Sequence, residues 1–129
     1  EYVPANTREM REILFRGKRV DNGEWVEGYY VFRPDGMHLI YWRPFNECSS
    51  NTYHEVDPET VDQYVGLKDK DGVKIFEGDI IRANKELWEI IFFESSFYCF
   101  SLDKKHDTVY PKSMRNIKTM KITGNIHGK

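Results

Sequence analysis

The chain has 129 residues, 31% of them charged and 15% aromatic, with a formal net charge of -2 at pH 7. That length fits one domain or two small subdomains sharing a core, and the near balance of charge excludes a polycation built to coat nucleic acid over its whole surface. The longest strongly apolar run, Ile90 to Phe93, is far short of the ~18 residues of a membrane helix, so no membrane partner is expected.

The opening EYVPANTRE lacks the apolar stretch of a secretory leader, and Cys48 and Cys99 lie far apart. Free thiols in a reducing cytoplasm are therefore expected. Met10, directly ahead of REILFRGKRV, reads as the natural start, which makes residues 1–9 an upstream remnant or an expression-vector scar outside the fold.

EILFRGKRV alternates imperfectly, with Ile13 and Phe15 on one face and Glu12, Arg16 and Lys18 among the outward positions. Asn22-Gly23 is a strong hairpin signal, because both residue types tolerate positive φ. The return strand is EWVEGYYVFR; Pro34, Asp35 and Gly36 turn the chain again, and Met37 to Trp42 completes a three-strand meander. From Pro44 to Thr60 the chain is polar and reads as a long loop, with at most a short strand around Tyr53 to Val56. Asp57 as N-cap and Pro58 at the first helical position predict one helical turn leading into a strand.

The second half has a clearer grammar. QYVGLKD and VKIFEG flank a turn at Lys70-Asp71-Gly72; DIIRA follows Gly78; LWEIIFF and FYCFSL flank Glu94-Ser95-Ser96; MKITGNI closes the chain. Short strands at this spacing predict a mainly β protein, α+β at most: an N-terminal β-meander subdomain over 10–60 and a five-stranded SH3-like small barrel over 61–129. Alternation in FFESSFYCF is expected to leave Phe93 and Tyr98 on the face opposite the core, against a second layer or another subunit.

The best candidate for chemistry is DGVKIFEGDIIR. Glu77 and Asp79 could pair for metal or acid–base work, yet no histidine, third acid or lysine stands at a supporting spacing. The stronger reading is a turn in which Gly78 takes positive φ and Asp79 accepts backbone N–H bonds, with Gly66 and Gly72 serving geometry in the same way. His38, His54, His106 and His127 are scattered singly without a metal-binding spacing. A spatial cluster of Cys48, His54 and His106 is a weak alternative, and neither a base nor an oriented donor for a Cys48 nucleophile is legible. No cofactor, no metal and no enzymatic activity are expected.

Charge is unevenly spread. Glu47, Glu55, Asp57, Glu59 and Asp62 share a stretch without lysine or arginine, whereas Lys104, Lys105, Lys112, Arg115, Lys118 and Lys121 face only Asp103 and Asp107. The basic segment, with Tyr110 and His106 interleaved, is a candidate contact for nucleic acid or for the acidic loop of another subunit; two solvated loops are the alternative.

The blocks MREILFRGKRVDNGEWVEGYYV, VDPETVDQYVGLKDKDGVKIFEGDIIR and KITGNIHGK closely resemble the YopX family of phage and prophage proteins of Gram-positive bacteria. The resemblance implies a two-part β-rich fold with a barrel-like C-terminal portion, homo-oligomerisation, and expression in the cytoplasm of the bacterial host cell. It implies no catalytic residues. The expected function is a non-enzymatic phage accessory protein, a homo-oligomeric interaction module whose partner is another copy or a phage or host protein. Nucleic-acid binding through Lys104, Lys105, Tyr110, Lys112, Arg115 and Lys118 is the alternative, and an enzyme or metal protein using Glu77 and Asp79 or Cys48 the remote one.

Overall fold

A computed structural model describes residues 12–42, 53–83, 85–102 and 120–128. Ten strands run through them: β1 Phe15–Lys18, β2 Trp25–Phe32, β3 His38–Tyr41, β4 Tyr53–Glu55, β5 Asp62–Lys68, β6 Lys74–Phe76, β7 Asp79–Ala83, β8 Glu86–Phe93, β9 Ser96–Ser101 and β10 Lys121–Asn125. All pairs are antiparallel. They form a six-stranded sheet in the order β4-β3-β2-β1-β5-β6 and a four-stranded sheet in the order β10-β7-β8-β9.

The turns sit where the turn residues do. Gly23 has a φ of 73° between Arg19 and Glu24, whose backbones pair at 2.9 Å, and Gly36 donates to the Arg33 carbonyl at 2.9 Å. Asp57 accepts the Glu59 N–H and caps a single 3-10 turn, Pro58–Thr60, as its sequence predicts. This turn is the only helix among the described residues, and none of them is long and apolar enough to cross a membrane. The β8–β9 hairpin closes through Glu94 and Ser95, both at positive φ without a glycine.

Mainly β architecture is thus as expected, but the sheets are not closed into a barrel. β5 and β6, which the sequence grouping places with the C-terminal barrel, hydrogen-bond through β1 to the meander. They nevertheless pack on the other sheet: Ile75 joins Ile81, Trp88, Ile90 and Cys99 in one buried cluster, with Val65, Leu67, Phe97, Met120 and Ile122 around it. The hairpin belongs to one sheet by its ladder and to the other by its core.

β1 departs from the alternation read in the sequence. Ile13 lies before the strand and is 57% exposed, whereas Arg16, expected outward, is 8% exposed. A guanidinium accepts such burial only when acceptors surround it. Tyr98 is half-buried, and the Phe93 side chain lies outside what is described.

Candidate binding cleft between the sheets

The acceptors around Arg16 come from far along the chain. Its Nε donates to Asp62 Oδ2 at 3.0 Å, its Nη1 to Asp79 Oδ1 at 2.7 Å and its Nη2 to the Glu77 carbonyl at 3.3 Å. Asp62 stands beside Arg16 because β5 pairs with β1 in the register Arg16↔Asp62. Asp79 opens the first strand of the other sheet, so this one side chain ties the two sheets together. The guanidinium also lies over the rings of Trp25 and Phe76, 4.8 and 5.0 Å from their centroids, where cation–π attraction adds to the charge pairs.

The turn at Glu77-Gly78 makes this possible. Gly78 has a φ of 85°, and a Cβ there would come within 3.2 Å of Asp62 Oδ2. Asp79 Oδ2 accepts the Phe76 N–H at 2.8 Å, which leaves Oδ1 for Arg16. Burial pushes the Asp79 carboxyl above its ordinary value against the pull of the Phe76 amide and Arg16. Burial also raises Glu77, whose carboxylate faces the Gln63 N–H at 3.4 Å, and Glu89 on the neighbouring strand.

The C-terminal end completes the corner. His127 Nε2 lies 3.0 and 3.2 Å from the two oxygens of Asp62, its ring tilts against Trp25 at 5.8 Å, and its carbonyl accepts Lys18 Nζ at 3.0 Å. Beside this network opens a cleft of about 480 Å³ lined by Arg16, Trp25, Glu27, Lys74 and Phe76 of the six-stranded sheet and by Asp79 and Ile122 to Asn125 of the other. Its far end is stapled by Asp69. Asp69 Oδ1 accepts the N–H groups of Asp71 and Val73, and Oδ2 that of Ile122, while the Lys70 N–H donates to the Met120 carbonyl.

The residues singled out from sequence fall unevenly on this map. Glu77, Gly78 and Asp79 form the turn at the corner, Gly72 closes the β5–β6 turn by donating to Asp69, and Gly66 sits within β5 at a φ of 93°. Cys99 is buried in the core, its thiol pushed up to about 11 by burial. His38 bonds Tyr30 and stacks on Phe32, and His54 lies on β4. Among the described residues, no group of three or more His, Cys, Asp or Glu is placed to hold a metal. Cys48, His106, Lys104, Lys105, Tyr110, Lys112, Arg115 and Lys118 lie outside the described residues.

Arg16, Trp25, Asp62 and His127 are the members that sequence reasoning missed. Arg16 lies 46 residues from Asp62 and 63 from Asp79, so no local spacing signals the contact. The E-G-D turn announced an aspartate that accepts backbone N–H bonds, but neither its burial nor the cation that answers it.

Among the described residues, fold and cleft define a class: antiparallel strands in two open sheets, joined at a charged corner with a cleft alongside. Within that class, the model of the family described as YopX protein matches residues 14–129, and the chain belongs to the YopX family. No curated protein matches it.

Proposed function

We propose that the protein is a non-enzymatic interaction module that works as a homo-oligomer, in the phage or prophage accessory role that the YopX resemblance implies. The observation behind this reading is a pair of exposed phenylalanines, each at the end of a cross-strand ring contact. Phe32 is 62% exposed and stacks on His38 at 4.5 Å; Phe92 is 56% exposed and meets Phe97 edge-on at 5.3 Å. Apolar rings held rigid at a surface are the anchors that subunit contacts use. Their conformational entropy is already spent in the free chain.

The described ionisable groups of the corner support binding over catalysis, because they bond one another and the backbone. Arg16, Asp62, Asp79 and His127 form a closed set, and a thiol at about 11 is no ready nucleophile. Light scattering on the full chain tests the proposal: the mass should exceed that of one chain and fall to it for Phe32→Glu or Phe92→Glu. A monomer in the wild type ends the self-association reading. Salt-sensitive binding of single-stranded DNA, duplex DNA or RNA would replace it with the nucleic-acid alternative.

A further inference from the structure

We propose that the basic end of one subunit receives the acidic end of a second copy, so that subunits join through unlike ends; this rests on the homo-oligomeric reading above and names the surfaces that meet.

The exposed charge of the molecule is sorted along β5. Its first residue, Asp62, follows the 3-10 turn that carries Glu59, and its last, Lys68, lies about 20 Å away at ~3.3 Å per residue. Around the first end the backbone gathers exposed acids. The Arg19 N–H donates to the Glu24 carbonyl at 2.9 Å and the Val20 N–H to the Glu55 carbonyl at 3.1 Å, and Glu59 follows in the turn. Arg19, which lies among them, is held by Asp21 at 2.6 Å, and Lys18 by the His127 carbonyl. Glu24, Glu55 and Glu59 thus make no ion pair with a described residue.

The other end is built in the opposite sense. Two cross-strand pairs set like charges face to face: Lys68 opposite Lys74 on β5 and β6, and Lys121 opposite Arg82 on β10 and β7. Like charges directly opposite each other destabilise a ladder. The two pairs adjoin, because the Lys70 N–H donates to the Met120 carbonyl at 3.0 Å. Local acids relieve little of the repulsion. Lys74 meets Glu12 only at 3.8 Å and Lys121 meets Asp71 at 4.0 Å, while Asp69 is taken up by backbone N–H groups. Lys68, Lys70 and Arg82 are exposed and make no ion pair with a described residue.

A surface of unanswered cations is complementary to one of unanswered acids, and every copy of the chain carries both. Apolar groups match as well. Phe32 stands opposite His38, whose carbonyl accepts the Val56 N–H, so the exposed ring lies beside the acidic end. Exposed Val73 and Leu87 stand among the cations, Val73 in the β5–β6 turn and Leu87 opposite Arg82. Nucleic acid would satisfy the basic end and leave the acidic end and its ring without a role.

Charge reversal tests both ends. Lys68→Glu with Lys70→Glu, and Glu55→Lys with Glu59→Lys, change exposed side chains only, and near-ultraviolet circular dichroism checks that each variant keeps its fold. In light scattering each double variant alone should fall to the mass of one chain. An equimolar mixture should recover the wild-type mass, since intact ends and reversed ends then both find their complements. The wild-type mass should also fall between about 0.1 and about 1 M salt, as the Debye length shrinks from about 10 to about 3 Å, and this arm needs no variant. A wild-type oligomer whose mass ignores salt or both double substitutions overturns the proposal and leaves an oligomer anchored by its rings. A monomeric wild type ends both readings. Variants that dissociate and stay apart when mixed overturn the proposal alone, and duplex DNA binding that Lys68→Glu with Lys70→Glu then abolishes would make the basic end a phosphate site.

Discussion

The two ends of the cleft are each closed by a buried aspartate, and the two aspartates are pushed in opposite directions. Asp69 is 6% exposed and Asp79 2% exposed. Burial raises the pKa of both. At Asp69 three backbone N–H groups, from Val73, Ile122 and Asp71, together with Lys121 outweigh burial, and the carboxyl falls below its ordinary value. At Asp79 one backbone N–H and the guanidinium do not, partly because Asp62 shares that guanidinium and repels, and the carboxyl rises. Asp79 is the more deeply buried of the two, so depth of burial and the sharing of its cation both separate the two carboxyls.

The largest effect should come from removing that divided cation. Arg16→Met leaves Asp79 buried without a counter-charge and Asp62 with the His127 ring beside it, and the cost should be about 3–5 kcal/mol. Urea unfolding followed by tryptophan fluorescence reads it as a lower midpoint at unchanged slope. A loss below ~1 kcal/mol, the scale of an exposed ion pair, would mean that water reaches the corner and that the comparison with Asp69 is one of exposure, not of donor sharing.

Removing the staple should cost less. Asp69→Ala orphans the Val73 and Ile122 N–H groups, at about 1–3 kcal/mol for a donor that stays dry. Amide exchange should accelerate first at Ile122 and Val73, since β10 then loses a tie to the β5–β6 turn. Exchange that speeds up uniformly would show that the two sheets separate only with global unfolding. The pH dependence at this end has a definite sign. A carboxyl lowered in the folded state contributes stability that is present above its unfolded value, ~3.9, and lost as pH falls through the folded one. Asp69→Asn should therefore flatten the acid limb of the stability curve below about pH 4.

This asymmetry also separates what the sequence reveals from what it hides. Asn22-Gly23, Asp35-Gly36 and Asp71-Gly72 announce their turns because a turn is decided by adjacent residues. The antiparallel pairs they connect follow from them. The staple at Asp69 is half legible: its bonds to Asp71 and Val73 lie within four residues, but its bond to Ile122 spans 53. The Arg16 corner is entirely long-range. Arg16 follows Phe15 in an alternating run and so reads as a solvated position, and only the β1–β5 pairing turns it inward. Closure is a long-range property in the same way: a strand count is local, whereas whether the edges of the two sheets meet depends on pairings between distant segments.

The smallest effect lies at Glu77, where charge and hydrogen bonding can be taken apart. Burial raises this carboxyl in the folded state, with Asp62 adding repulsion and the Gln63 N–H, Arg16 and His127 opposing. The folded protein therefore holds the Glu77 proton more tightly than the unfolded chain does. Its contribution is present below the unfolded value of ~4.3 and lost as pH rises through the folded one. At neutral pH the ionised side chain is a small liability. Glu77→Gln keeps an acceptor for Gln63 and removes the charge, so the variant should melt slightly above the wild type at pH 7, with the gap closing by about pH 4. A variant that is less stable at pH 7, with the deficit vanishing toward pH 4 as the wild-type carboxyl takes up its proton, would show that the carboxylate serves Arg16 through space. The corner would then resemble the Asp69 end, with each acid needed for the charge it carries.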